Sequence, residues 1–115
     1  MIFNKSTNRI ISKKEIVCRS ILSQARGLMF RKKHNLVMIF PKERTISLHN
    51  FFVFYPIEVI VLNEEMQVVE IKENFMPFTF WKSKEKGMYL IEMGNDKIND
   101  KMKNNIKIGD KLKIN

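Results

Sequence analysis

The sequence predicts a mainly β protein, α+β by content: a compact β-sandwich or partly closed barrel with one or two short helices. Three observations predict it. The apolar runs after Leu36 are short, they are rich in Val, Ile and Phe, and they are separated by Pro, Gly or Asn-Glu breaks. Helical periodicity is confined to two windows, so helices are few. Nothing in the chain repeats, and no linker or low-complexity segment divides it. One domain over residues 1–115 is expected.

The elements follow in order. Ile10 to Cys18 mixes apolar and basic residues and reads as a first strand. Ser20 is placed to cap a short helix over Ile21 to Arg31, where Leu22, Ala25 and Met29 recur at spacings of three and four. Gly27 predicts that this helix ends early. Leu36 to Phe40 is an apolar strand that Pro41 should stop. Ile46 to Phe54 and Ile57 to Leu62 read as two strands meeting at Pro56, and Asn63-Glu64-Glu65 as the turn that follows. Met66 to Lys72 begins another strand, with Val69 and Ile71 expected on one face. Phe75 to Trp81 is aromatic but holds Pro77, which predicts an edge or extended loop. Gly87 to Met93 is a strand ended by Gly94. The polar stretch Asn95 to Asn105, with Ile98 and Met102 four apart, predicts one or two helical turns. Ile106 to Ile108 and Leu112 to Ile114 alternate around a Gly109-Asp110 turn.

Composition narrows the class. A hydrophobic content of 44% fits a globular chain, and one cysteine, Cys18, excludes an internal disulfide framework and fits a reducing, cytoplasmic setting. The N-terminus lacks an apolar stretch of signal-peptide length, and no run approaches the roughly 20 apolar residues of a membrane-spanning helix, so no membrane partner is expected. The formal charge of +9 is uneven: +8 over residues 1–33, −3 over 34–81 and +4 over 82–115. Such polarity permits nucleic-acid binding through the basic N-terminal third, although solvated lysine-rich faces are the more ordinary explanation.

The segment from Ser47 to Leu62 concentrates the chemistry. It sets His49, four aromatic residues and Glu58 within an apolar run. A carboxylate in such a strand must be hydrogen-bonded, paired with a cation or protonated, because an ionised and unpaired one is too costly. His49 is either a general base or a strand-end histidine bonded to backbone. Glu58 is either a general acid or an anchor for a backbone amide or for Arg26. Cys18 with His49 has no sequence reason to meet, and His34 and His49 make no recognised metal spacing, so no metal and no cofactor are expected. Phosphate-binding glycine loops and a serine-hydrolase elbow are absent.

Several motifs in register resemble the DUF192 family of uncharacterised proteins. They are Ala25-Arg26-Gly27-Leu28-Met29-Phe30-Arg31, then Leu48-His49-Asn50-Phe51 continuing to Phe54-Tyr55-Pro56-Ile57-Glu58-Val59-Ile60, then the stretch around Pro77, Tyr89-Leu90-Ile91-Glu92, and Ile108-Gly109-Asp110. The resemblance implies a jelly-roll-like sandwich with a small helical element and no agreed activity. The chain departs from the pattern at Glu58, usually Asp, at Phe52, often Gly, and at Phe54, often Arg. Loss of that Arg leaves Arg26 or Arg31 as the expected counter-ion of Glu58.

The expected function is a small non-enzymatic binding domain for a small molecule or protein segment. Its cleft would be formed by Arg26, Met29, Arg31, His49, Phe51 and Glu58, with Arg26 orienting an acidic group and the aromatics supplying apolar contact. Phe51, Phe52, Phe54 and Tyr55 should be mostly core. Phe78, Phe80 and Trp81 are the expected partner surface, and a monomer or weak dimer is expected. The alternatives are the nucleic-acid reading and an uncharacterised hydrolase or transferase using His49 and Glu58.

Overall fold

A computed structural model describes residues 1–19, 34–94 and 106–115. Eight strands form two sheets: β1 (Ile2–Asn4), β2 (Arg9–Ser12), β3 (Ile16–Cys18), β4 (Asn35–His49), β5 (Ile57–Leu62), β6 (Val68–Phe75), β7 (Phe80–Met93) and β8 (Leu112–Ile114). The large sheet runs in the order β3-β4-β7-β5-β6, and the small one in the order β2-β1-β8. Among the described residues only β3 and β4 pair in parallel. The fold is a sandwich without a closed barrel, as the sequence predicts. Both expected helices, over Ile21 to Arg31 and within Asn95 to Asn105, fall outside the described residues.

The large sheet is apolar on both faces, which explains its unbroken runs of Val, Ile and Leu. Along β5, Ile57, Val59 and Val61 join one apolar layer while Ile60 and Leu62 join the other. The small sheet closes the second layer with Ile2, Ile11 and Leu112. The first layer is covered by Val53 and Tyr55 and by the far halves of β4 and β7, whose Ile46, Leu48 and Trp81 pack against the same group as Leu36 and Val59.

That covering requires a bend, and the sequence marks it at Pro41. The expected stop there does not occur, and the expected strand from Ile46 ends at His49 rather than Phe54. Instead one strand of 15 residues passes through Pro41. The register with β7 breaks between Ile39 and Arg44, so Pro41 sits where no ladder amide is needed. Opposite Arg44 lies Gly87, and a Cβ added there would meet Val61 Cγ1 at 2.2 Å. Only a residue without a side chain lets the bent β4–β7 pair pass so close to β5.

Two other expectations change. A bulge at Val61/Leu62 opposite β6 leaves Val69 in the first layer and Ile71 beside the second, so they do not share a face. The Ile10 to Cys18 strand divides at Lys13-Lys14 into β2 and β3, which belong to different sheets. The Gly109-Asp110 turn forms as expected, with Gly109 at φ 97°. Asp110 then holds the small sheet, accepting hydrogen bonds from Asn4 Nδ2 and from the Lys107 amide, both at 2.9 Å.

Candidate functional site

Three of the residues expected to bind a ligand, Arg26, Met29 and Arg31, lie outside the described residues. His49 is exposed at the end of β4, where its Nδ1 accepts a hydrogen bond from the Phe51 amide at 3.4 Å. Phe51 is half-buried beside it, ring centroids 5.1 Å apart. Glu58 is half-buried in β5 and its Oε1 accepts from the Asn74 amide at 3.3 Å. No hydrogen bond joins His49 to Glu58 among the described residues.

A second carboxylate is enclosed far more completely. Glu92 of β7 is 6% exposed and stands between Leu36 of β4 and Val59 of β5, on the face of the first apolar layer. Burial pushes its carboxyl up to about 7. Among the described residues no donor or cation reaches it. The rule that drew attention to Glu58, a carboxylate within an apolar strand, applies equally to Glu92 in the run from Met88 to Met93.

Where the small sheet leaves the large one, a recess of about 650 Å³ opens between them. Its floor includes Val17, Ile39 and Tyr89, which are apolar or amphipathic, and its wall includes Met66, Leu112 and Ile114. Lys5, Arg19, Lys111 and Lys113 stand around it with Glu65 as the one carboxylate side chain. Lys111 pairs with Glu65 at 3.8 Å. Among the described residues Lys5, Arg19 and Lys113 have no ion pair, and the Tyr89 hydroxyl makes no hydrogen bond. Neither His49, Phe51 nor Glu58 lines this recess. Composition could not reveal it, because β3, β4 and β7 contribute one residue each and the rest come from β8 and from segments far apart in the chain.

The aromatic residues gather elsewhere. Phe52, Phe54, Phe78 and Phe80 are 44%, 67%, 53% and 75% exposed, whereas Tyr55 is buried and Trp81 is half-buried against the first layer. The exposed Phe52 and Phe54 differ from the expected core placement: β4 ends at His49, and the turn that follows, with Phe52 at φ 57°, buries Val53 and Tyr55 and leaves these two rings outside. Phe78 touches Phe51, Phe52 and Phe54 with centroids 5.9–6.4 Å apart, and Phe51 meets Phe80 edge-on at 4.9 Å. Asn50, buried, ties the two turns together. Its Nδ2 donates to the Phe75 carbonyl at 3.0 Å, and its own carbonyl accepts from the Phe78 amide at 2.8 Å.

Comparison with known proteins agrees with the motifs. The chain is 35% identical to a UPF0127 protein of Pyrococcus horikoshii over 80% of this chain and 82% of that one. It is 34% identical to a UPF0127 protein of Pyrococcus furiosus over 77% of this chain and 76% of that one. The fold is similar to that of a protein of unknown function from Novosphingobium aromaticivorans, with a TM-score of 0.80, 18% identity, and coverage of 98% of this chain and 81% of that one. It is also similar to a candidate transcription regulator from Sinorhizobium meliloti, with a TM-score of 0.81, 18% identity, and coverage of 97% and 88%. At that identity the likeness concerns the fold alone. The profile of DUF192, described as Uncharacterized ACR, matches residues 1–114, and the chain belongs to that family, for which no specific function is established.

Proposed function

We propose that this chain is a small-molecule binding domain whose ligand joins an anionic group to an apolar body and lies in the recess between the two sheets. The observation that carries the reading is the lining: an apolar floor ringed by four cations and one carboxylate side chain, with three of the cations unpaired among the described residues. Its volume of about 650 Å³ falls in the range of ordinary ligand sites. Lys5, Arg19 and Lys113 would hold the anionic group, Tyr89 would donate a hydrogen bond, and Ile39, Met66 and Ile114 would cover the apolar part. The buried thiol of Cys18 is in keeping with a reducing, cytoplasmic setting for such a protein.

Thermal shift with decanoate, decyl phosphate and neutral decanol tests it, since a ligand of the native state raises the melting temperature in proportion to RT ln(1 + [L]/Kd). The anionic probes should raise it and the alcohol should not. Arg19→Glu with Lys113→Glu should weaken the response about tenfold or more. Equal responses to anionic and neutral probes, or an unchanged response in the variant, would refute this assignment.

A further inference from the structure

We propose that the aromatic tip, built from the turns at residues 51–54 and 76–80, docks this protein on the surface of an anionic lipid bilayer. This inference stands apart from the recess, which shares no residue with the tip.

Four phenylalanines and Met76, 48% exposed, are presented together. Their rings form one joined cluster with Phe78 at its centre. Two of them occupy backbone conformations that bulky residues avoid, Phe52 at φ 57° and Phe78 at φ 59°. Glycine or asparagine usually serves at such turn positions, so strained backbone here coincides with outward-facing apolar rings. Monomeric proteins rarely leave a contiguous apolar surface of this kind uncovered.

Charge identifies the occupant. The arms of β4 and β7 that carry the tip are basic: residues 42–50 and 79–86 hold Lys42, Arg44, Lys82, Lys84 and Lys86 against Glu43 and Glu85, while Glu58 and Glu70 spend an oxygen each on the Asn74 and Lys84 amides. Lys82 is exposed and shares the outer side of β7 with Phe80, the half-buried Trp81 between them pointing inward. Phenylalanine beside lysine is the composition of a surface that sits at the headgroup boundary, with rings among the acyl chains and ammonium groups against anionic lipids. Protein interfaces also favour phenylalanine and methionine, so the distinction lies in the lysines beside the rings, which such interfaces deplete, and in the lack at the exposed tip of the tyrosine and arginine of their hot spots. Base stacking fits less well: the rings meet at 64–76° in three of their contacts, face to edge, rather than presenting separate open faces. A peripheral contact needs no spanning helix, so the lack of a long apolar run in the sequence does not oppose it.

Co-sedimentation with phosphatidylcholine vesicles, with and without about one-third phosphatidylglycerol, tests the proposal. The wild-type chain should bind the anionic vesicles and not the neutral ones, and the emission of Trp81 should be quenched by brominated acyl chains. Phe54→Ser with Phe80→Ser should weaken binding about tenfold or more, and Lys82→Glu with Lys84→Glu severalfold. No binding to anionic vesicles, equal binding to neutral ones, or binding indifferent to the phenylalanine substitutions would overturn it. So would loss, in that variant, of binding to a single-stranded oligonucleotide or of self-association, since the surface would then belong to nucleic acid or to a second copy. Should the variant fail to fold, the wild-type quenching decides alone, and its absence overturns the proposal.

Discussion

Glu58 and Glu92 lie on neighbouring strands one residue out of register, with Glu58 opposite Met93 and Val59 opposite Glu92. That single step sends their side chains to opposite faces of the same sheet. Glu58 sits near the start of β5 and finds the Asn74 amide at a half-open margin. Glu92 sits between two other strands, on the face covered by the bent β4–β7 pair, and its burial alone lifts its carboxyl to about 7. The layer enclosing Glu92 runs outward to the exposed rings of the aromatic tip, so its interior and its rim also contrast. Interior groups there are held by packing, whereas the rim rings are in good part exposed to solvent.

The largest effect should come from the interior. The native state keeps the Glu92 proton that the unfolded chain releases near pH 4.5, so stability falls as pH rises from about 4.5 to about 7 and is level above that. The loss amounts to about 3 kcal/mol at about 1.4 kcal/mol per pH unit. Urea unfolding at pH 5 and pH 8 should therefore show Glu92→Gln removing most of the pH dependence seen in wild type. A variant that keeps the full slope would mean the carboxyl is not the titrating group.

At the bend, Gly87→Ala drives a methyl into Val61 and should cost about 1–3 kcal/mol in the same assay. A neutral result would show that β5 yields and that the β4–β7 pair is not pinned there. Ser83 of β7 is buried and ties that strand to β4, its Oγ accepting from the Ile46 amide at 2.9 Å and donating to the Glu85 carbonyl at 2.8 Å. Ser83→Ala leaves a buried amide unsatisfied and should cost about 1–2 kcal/mol. At the rim, Phe80→Ser should change stability by no more than about 0.5 kcal/mol, because that ring is 75% exposed. A large loss on thermal unfolding would move the tip from rim to core and erase the contrast.

Much of this architecture was legible from local pattern. The strand over Ile57 to Leu62 is covered on both faces, as its unbroken apolar run requires, and the Gly109-Asp110 turn forms where its residues demand. Pro41 was misleading because a proline breaks a strand only where its amide would be needed, and the register break removes that need. Phe52 and Phe54 are expected inside because aromatic side chains usually are, yet the strand ends at His49 and the turn after it buries Val53 and Tyr55 and leaves these two rings outside. The recess was invisible in the sequence because its cations come from Lys5, Arg19 and the Lys111–Lys113 stretch, which become neighbours only when β8 joins β1.

The chain by itself determined the β class, the strand cores and the membership in DUF192, since these depend on side-chain period, turn chemistry and short motifs that are properties of neighbouring residues. Tertiary structure decided which carboxylate is enclosed, where four cations converge and which rings stay in water. Those depend on what packs over a face, and two strands with the same pattern of residues receive different covers.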